Sequence, residues 1–322
     1  MNKSDIRKVI SQSILADGMS PIIDLEKSHG SWLVDKVTGK EYLDLFSMFA
    51  SLSVGYNHPY VIEQSERLRI AAINKPTNSD VYSQEMAEFM HTFKRVAQPD
   101  YLPHTFFIEG GGLAVENALK VAFDWKRRKN LAKGISAKGE KVIHFKQCFH
   151  GRTGYTMSLT DSPDKRKTMY FPKFDWPRVT NPKITFPLKD NLEHVRELEK
   201  QSLHEIKEAI AANPDNIASI IIEPIQGEGG DNHFRCEYMK TLREIADEND
   251  IMLIYDEVQT GVGVTGKMWA HQHFLSKDCE TVCDCKDDLP AKPDIISFGK
   301  KTQVCGIAAS ARVDEVEDNV FQ

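Results

Sequence analysis

Apolar and polar residues follow two different rhythms along the chain. Residues 30–47, GSWLVDKVTGKEYLDLFS, hold two short apolar runs separated by a polar stretch at Asp35–Lys40. Gly39 lies in that stretch, and such an arrangement is typical of a β-hairpin. We therefore predict that residues 1–60 form a separate N-terminal arm or part of a small domain.

From about residue 60 onward, short apolar runs alternate with longer amphipathic segments. The runs are HTFFIEG, EKVIHF, IASIIIEP, IMLIYDEV, DIISFG and VCGIAAS. Two of the intervening segments, LAVENALKVAFDWKRRK and FRCEYMKTLREIADEND, have the apolar spacing of helices. In the first of them, one apolar stripe is formed by Leu113, Ala118, Val121, Ala122 and Trp125. Near-continuous apolar strands that alternate with helices predict the α/β class, with a mostly parallel sheet flanked by helices in one large domain, residues 61–322.

Composition and charge exclude several classes of partner. Of the 322 residues, 41% are hydrophobic and 27% are charged, which is ordinary for a globular protein. The formal net charge of −6 argues against nucleic acid as a partner, because phosphate binding needs a basic face. No apolar run reaches the roughly 18 residues that a membrane-spanning helix needs. The N-terminus lacks a signal-peptide core, so we expect a cytoplasmic location, and an organelle matrix fits the same pattern.

Six cysteines are present, and three of them cluster at Cys279, Cys283 and Cys285. The cluster comes shortly after His271 and His273, so a zinc site is one interpretation. The spacing CxxxCxC with HxH is not an established zinc pattern, however. We therefore predict an acidic surface loop and no metal site, with the cysteines as reduced thiols.

Chemically distinctive residues follow three of the predicted strands. Gly110–Gly112 lie between a strand and a helix start, where backbone amides can approach an anion such as phosphate, although a tight turn explains them equally well. Asp256 ends another strand, and Lys300 and Lys301 follow a third. Taken singly, these three charged residues are most simply solvated surface groups. Because ligands collect at the carboxyl ends of parallel strands, we expect the three strand ends to contribute to one site.

Together, these groups meet the needs of pyridoxal 5'-phosphate. Its aldehyde forms a Schiff base with a lysine amine, and a carboxylate keeps its ring nitrogen protonated. Its phosphate suits a helix N-terminus. An aromatic side chain usually covers its ring, and a loop after EKVIHF offers Phe149 and His150, although core packing is the commoner role of a phenylalanine. We therefore predict pyridoxal phosphate as the cofactor.

Several motifs resemble those of a known family. FHGRTGYTMSLT, EPIQGEGG, DEVQTGVGVTG and SFGKK are similar to motifs of the class III pyridoxal-phosphate aminotransferases. NKPTNSDVYS, FPKFDWPR and FGKKTQVCG make the chain most similar to the lysine ε-aminotransferase subgroup. The similarity runs from about Ser13 to the end of the chain. It implies the large domain of a fold type I pyridoxal-phosphate transferase.

The resemblance implies a role for each cofactor residue. Lys300 is similar to the lysine that carries the cofactor, and Asp256 to the partner of its ring nitrogen. Gln259 is implied to bind the phenolic oxygen, and the phenylalanine of the FHG motif to stack on the ring. Gly111 and Gly112 stand where the family offers backbone amides to the phosphate. Many relatives have a hydroxyl there, so here binding would rest on amides.

The resemblance also implies residues for the substrates. Arg152 is similar to the arginine that holds a substrate carboxylate. Glu228 is similar to a glutamate that masks or frees another arginine, so that two substrates share one site. Glu223 is expected to support Gln259 or a neighbouring strand end. The implied reaction moves the ε-amino group of L-lysine to 2-oxoglutarate and gives 2-aminoadipate 6-semialdehyde and L-glutamate.

Departures from the family pattern leave two further interpretations open. Residues 275–292 resemble an insertion, and the sequence ends at Gln322, before the C-terminal small domain expected of the family. A truncated chain that binds the cofactor but is catalytically impaired is therefore one alternative. Another ω-aminotransferase, acting on ornithine or 4-aminobutyrate, is the second. The family builds its active sites at a subunit interface, so a homodimer is expected.

Overall fold

The fold is described from a computed structural model, which describes residues 5–74, 80–275 and 291–321. It divides the chain into two compact units, Met1–His91 and Thr92–Gln322. The expected domain boundary at residue 60 stays a prediction. The predicted insertion at 275–292, with Cys279, Cys283 and Cys285, lies almost entirely outside the described residues. Within the described ranges, no helix is long and apolar enough to cross a membrane.

The first unit contains the predicted hairpin. Strand β1, Trp32–Val34, pairs antiparallel with β2, Glu41–Leu43. The carboxylate of Asp35 closes the turn between them by accepting hydrogen bonds from the backbone amides of Val37 and Thr38. The helices of this part are α1 (Ile6–Ile10), α2 (Ser47–Ala50, one turn with left-handed backbone), α3 (Pro59–Glu63), α4 (Ser65–Asn74) and α5 (Gln84–Val96), which runs across the division.

The second unit is built on a seven-stranded sheet with the order β3-β11-β10-β9-β6-β4-β5. Its strands are β3 (His104–Ile108), β4 (Lys141–Phe145), β5 (Arg178–Val179), β6 (Ile217–Ile222), β9 (Met252–Asp256), β10 (Ile295–Phe298) and β11 (Cys305–Ala309). A separate two-stranded hairpin joins β7 (Ile225–Gln226) to β8 (Asn232–His233). The strands β10, β9, β6, β4 and β5 are parallel neighbours, whereas β11 is antiparallel to both β10 and β3. The predicted α/β class with a mostly parallel sheet is confirmed.

Helices cover both faces of this sheet. They are α6 (Gly111–Ala132), α7 (Thr156–Leu159), α8 (Leu188–Ala212) and α9 (Cys236–Glu248). Alternate side chains of β9 enter two different cores: Leu253 packs in the core that contains α9, and Ile254 in the core that contains α6. Both predicted helices are confirmed. Their apolar stripes are buried, except that Leu113, in the first turn of α6, is exposed, contrary to prediction.

Candidate active site

The carboxyl ends of β3, β9 and β10 lie along one edge of the sheet, beside the amino end of β11. The ladder pairs Ser297 of β10 with Asp256 of β9, and Phe298 of β10 with Gly306 of β11. A cavity of about 380 Å³ opens at this edge. Six of the eight predicted site residues line it: Gly111, Gly112, Phe149, Asp256, Gln259 and Lys300. The residues that the sequence placed at separate strand ends therefore share one cavity.

Lys300 lies in a short 3₁₀ turn, Lys300–Thr302, directly after β10 and Gly299. Its backbone is left-handed, with φ of 52°, an uncommon conformation for a residue other than glycine. Its Nζ donates a hydrogen bond of 3.1 Å to Oε1 of Gln259. Burial lowers the pKa of Lys300 below its ordinary value, although attraction by Asp256 and Glu223 opposes that change. A lowered pKa increases the fraction of neutral, nucleophilic amine at neutral pH.

Asp256 is 4% exposed, so the interpretation as a solvated surface acid is wrong. One carboxylate oxygen, Oδ1, accepts hydrogen bonds from Ser297 Oγ at 3.0 Å and from the backbone amide of Val258 at 3.1 Å. The other, Oδ2, accepts from Nδ1 of His150 at 2.8 Å. These three donors fix the orientation of the carboxylate.

The sequence offered His150 only beside Phe149, as an aromatic ring that could cover the cofactor. Its side chain is completely buried and lines the cavity, and its partner Asp256 was not anticipated. Burial alone lowers the pKa of this imidazole, but contacts with Cys148 and with the Asp256 carboxylate outweigh burial and raise the pKa well above its ordinary value. The direction of this change favours the protonated, cationic imidazole beside Asp256. The sequence signal was weak: His150 directly follows Phe149, but its partner lies 106 positions away.

Glu223 supports the loop that carries Phe149. Its Oε1 accepts a hydrogen bond of 2.8 Å from the backbone amide of Phe149, in the loop after β4, whereas support of Gln259 or of a neighbouring strand end was expected. Burial raises the pKa of Glu223 to about 8, and repulsion by Asp256 adds to that rise. The two neighbouring carboxyl groups thus have different partners: Asp256 has the imidazole of His150, and Glu223 has the backbone amide of Phe149.

The start of α6 forms the floor of a possible anion site. Helix α6 begins at Gly111, so the first amides of a 22-residue helix face the cavity edge without helical partners. A side chain at Gly111 is excluded sterically, because its Cβ would lie 2.8 Å from Cγ1 of Val258. Unpaired amides and the positive end of the helix dipole favour a phosphate here.

Arg152 and Glu228 do not line this cavity. Arg152 is exposed and borders a second, open cavity of about 550 Å³, which Glu116 also lines. Glu228 follows β7 and accepts hydrogen bonds from Lys167 Nζ at 2.7 Å and Ser162 Oγ at 2.8 Å. In the described part of the chain, its ion-pair partner is thus a lysine.

Lys301 is 8% exposed, so the interpretation of Lys301 as a solvated lysine is wrong. Its Nζ donates a hydrogen bond of 2.7 Å to the backbone carbonyl of Gln259. Burial, with added repulsion by Lys300, lowers the pKa of Lys301 to about 8. The side chains of the two adjacent lysines therefore have different surroundings: Lys300 lines the cavity, and Lys301 is enclosed by protein.

The two histidines before the cysteine cluster have other partners. Nδ1 of His271 lies 2.9 Å from Oε1 of Glu257, and its Nε2 lies 2.7 Å from the hydroxyl of Tyr101. Nε2 of His273 contacts the carbonyl of Thr265. Among the described residues, no group of three or more metal-ligating side chains is arranged to hold a metal ion.

Comparison with known proteins identifies the relatives of this chain. The profile of the aminotransferase class-III family matches residues 14–320. The chain is 49% identical over 320 residues to the L-lysine-epsilon aminotransferase of Mycobacterium tuberculosis, covering 98% of this chain and 67% of that protein. It is 44% identical to the L-lysine-epsilon aminotransferase of Streptomyces clavuligerus, covering 100% of this chain and 67% of that protein.

A more distant relative and a solved structure also match this chain. The 4-aminobutyrate aminotransferase of Emericella nidulans is 32% identical, over 89% of this chain and 59% of that protein. The solved structure of lysine aminotransferase from M. tuberculosis, in the internal aldimine form, superposes with a TM-score of 0.91 at 48% identity. The superposition covers 100% of this chain and 71% of the solved chain.

Proposed function

The chain belongs to the class III aminotransferases, and we propose that it transfers the ε-amino group of L-lysine to 2-oxoglutarate. The products are 2-aminoadipate 6-semialdehyde and L-glutamate. One observation carries the choice of donor: identity to enzymes named for lysine is 44–49%, against 32–33% to those named for 4-aminobutyrate. Aminotransferases of this class depend on pyridoxal phosphate, and the cavity residues fit that cofactor.

The fit rests on three features of the cavity at the sheet edge. An amine with a lowered pKa, a buried carboxylate and a helix N-terminus all face one space of about 380 Å³. Pyridoxal phosphate, when bound, supplies a conjugated ring that withdraws electrons from the carbon that bears the transferred nitrogen. We assign its phosphate to the amides of Gly111 and Gly112, its ring face to Phe149 and its phenolic oxygen to Gln259.

Lys300 is the proposed proton carrier. Its Nζ would hold the cofactor, and the free amine would accept a proton from the terminal carbon of the substrate and donate it to the cofactor. Burial supports both roles, because it lowers the pKa of Nζ and so leaves more amine unprotonated. Oε1 of Gln259, 3.1 Å from Nζ, keeps the amine oriented toward the cavity.

Asp256 is the proposed partner of the ring nitrogen. A carboxylate next to a protonated ring nitrogen stabilises that proton electrostatically. The hydrogen bonds from Ser297, Val258 and His150 leave Asp256 little freedom to rotate. The carboxylate is thus oriented before the cofactor binds, which lowers the cost of organising the site.

Arg152 and Glu228 are the proposed substrate residues. The planar guanidinium of Arg152 can bind both oxygens of a substrate carboxylate, and its exposure in an open cavity leaves it accessible. Glu228 would adjust the local charge as the two substrates alternate. Glu228 forms an ion pair with Lys167 at 2.7 Å, and the carboxylate of either substrate could compete with Glu228 for that lysine.

Two further features belong to the same proposal. A homodimer is proposed, in keeping with the interface active sites of the family. A cytoplasmic location is proposed from the sequence alone. Size-exclusion chromatography with light scattering tests the first, and fractionation of cells tests the second.

The proposed activity is tested with the purified chain, pyridoxal phosphate, L-lysine and 2-oxoglutarate. We expect glutamate to form in amounts equal to the lysine consumed, and none to form with Lys300→Ala. Ornithine and 4-aminobutyrate should be poorer donors, and a preference for either would replace lysine as the donor. Cofactor binding without glutamate from any donor would instead support the alternative of an impaired, cofactor-binding chain.

A further inference from the structure

Lys300 and Lys301 converge on a single residue, Gln259. Nζ of Lys300 donates to the side-chain oxygen of Gln259 at 3.1 Å, and Nζ of Lys301 donates to its backbone carbonyl at 2.7 Å. The amide of Gln259 is also confined from a third side, since a Cβ on Gly227 would lie 2.5 Å from its Nε2.

The backbone of the turn explains how two neighbouring lysines reach one target. In an extended strand, consecutive side chains point to opposite faces. Here Lys300 has a φ of 52°, and the chain enters a 3₁₀ turn at once. This bend replaces strand alternation, so both ammonium groups approach Gln259, one from inside the cavity and one from the protein interior.

We propose that Lys301 is a positioning residue of the active site, whose ammonium holds the main chain of Gln259 so that the side chain of Gln259 stays in register with Lys300. The inference rests on the proposed function, in which Gln259 contacts the cofactor and Lys300 carries it. Lys301 itself does not line the cavity, so the proposed positioning passes through Gln259.

A second buried lysine provides a control that distinguishes a positioning role from simple support of the fold. Lys126 is 4% exposed, and its Nζ donates a hydrogen bond of 2.7 Å to the backbone carbonyl of Asp250. Lys126 and Lys301 thus make the same kind of contact at almost the same depth. Asp250, however, lies before β9 and Gln259 after it, at opposite ends of that strand. Lys126 is therefore a matched control for burial and for bond type.

The experiment compares Lys301→Met, Lys126→Met, Gln259→Ala and the double variant Gln259→Ala with Lys301→Met, all loaded with pyridoxal phosphate. We expect Lys301→Met to lower kcat about 10- to 100-fold, as small displacements in an active site do, and to shift the absorption band of the bound cofactor. Lys126→Met should lower thermal stability while keeping kcat and the band. In the Gln259→Ala background, adding Lys301→Met should have little further effect on either, because coupled residues are not additive.

Two results would overturn the inference. One is a Lys301→Met variant with the kcat and absorption band of the unaltered chain. The other is an undiminished effect of Lys301→Met in the Gln259→Ala background. If the chain binds no pyridoxal phosphate, the proposed function fails, and hydrogen exchange of the cofactor-free chain decides the inference instead. Exchange in residues 256–261 must then be faster in Lys301→Met and unchanged in Lys126→Met, and equal exchange in both variants rejects the positioning role.

Discussion

Nδ1 of His150 lies 2.8 Å from Oδ2 of Asp256, and both side chains are almost completely buried. The contact joins the loop after β4 to the end of β9. It gives the one carboxylate proposed to face the ring nitrogen a cationic partner that water does not reach. A hydrogen bond between charged groups at such a site is stronger than a neutral one and is costly to lose.

Replacing His150 tests the importance of this pair. His150→Asn removes the cation but keeps a side chain that can donate to Asp256. We expect affinity for pyridoxal phosphate to fall about 10-fold, because a neutral donor replaces a charged one and a charge-assisted hydrogen bond is roughly twice as strong as a neutral one. Titration of cofactor absorbance measures the affinity. His104→Asn, which removes a partly exposed ion pair with Asp314, serves as the control, and equal affinities of the two variants would refute the expectation.

The glycine at the start of α6 makes a steric prediction. Gly111→Ala places a Cβ 2.8 Å from Cγ1 of Val258, which must shift within the cavity wall. We expect the free energy of unfolding to fall by about 1–3 kcal/mol, as is typical of overpacking, and cofactor binding to weaken. Urea unfolding measures the first effect. Adding Val258→Ala removes the contact and should restore part of the stability, and failure to do so would show that the clash is not the cause.

Replacing Arg152 should change the KM for the substrate rather than kcat. Arg152→Lys keeps the positive charge but loses the planar fork that binds two carboxylate oxygens. Under the proposed function, KM for lysine should rise about 10-fold or more while kcat changes little, since the contact is made equally in ground and transition states. Steady-state kinetics separate the two constants. Arg127→Lys, at an exposed pair with Glu140, is the matched control, and an unchanged KM in Arg152→Lys would remove Arg152 from the site.

Asp250 lies at the end of β9 opposite the cavity, and it makes the free energy of unfolding depend on pH. Burial acts to raise the pKa of Asp250, but hydrogen bonds from Lys129 and Lys133 outweigh burial and lower the pKa to about 2. A carboxylate with a lowered folded-state pKa stabilises the fold above the unfolded pKa of 3.8, and this stability is lost as pH falls toward 2. Asp250→Asn should therefore cost about 1–2 kcal/mol at neutral pH and flatten the decline of stability between those two values.

Urea unfolding at a series of pH values provides this measurement. Glu140→Gln is the control, because Glu140 forms an exposed ion pair with Arg127 that should contribute little. A slope for Asp250→Asn that matches the unaltered chain would mean that its ion pairs with Lys129 and Lys133 do not stabilise the fold.

Much of the sheet edge could be predicted from sequence, because it depends on local pattern. Apolar runs such as IMLIYD and DIISF identify the strands, and parallel strands bring their carboxyl ends to one edge. That reasoning was enough to predict that Asp256, Lys300 and Gly111 line one cavity. The direction of β11 was not predictable in this way, because a short apolar run carries no information about whether its neighbour is parallel.

The remaining features depend on contacts between distant residues or on an unusual backbone. The pairing of His150 with Asp256 spans 106 positions and leaves no mark on either local pattern. Lys301 is buried directly after the left-handed residue Lys300, whereas charge alone favoured a solvated side chain. Arg152 and Glu228 were expected in one substrate site, but their surroundings are set by loops whose course the sequence pattern does not specify.

The central claim is that Lys300, and not Lys301, holds the cofactor. The direct measurement is borohydride reduction of the chain loaded with pyridoxal phosphate, followed by mass-spectrometric mapping of the modified lysine. Lys301→Met should still be labelled, and Lys300→Ala should not be. We predict a single phosphopyridoxyl group on Lys300, and label on Lys301, or on neither lysine, would show that Lys300 does not hold the cofactor.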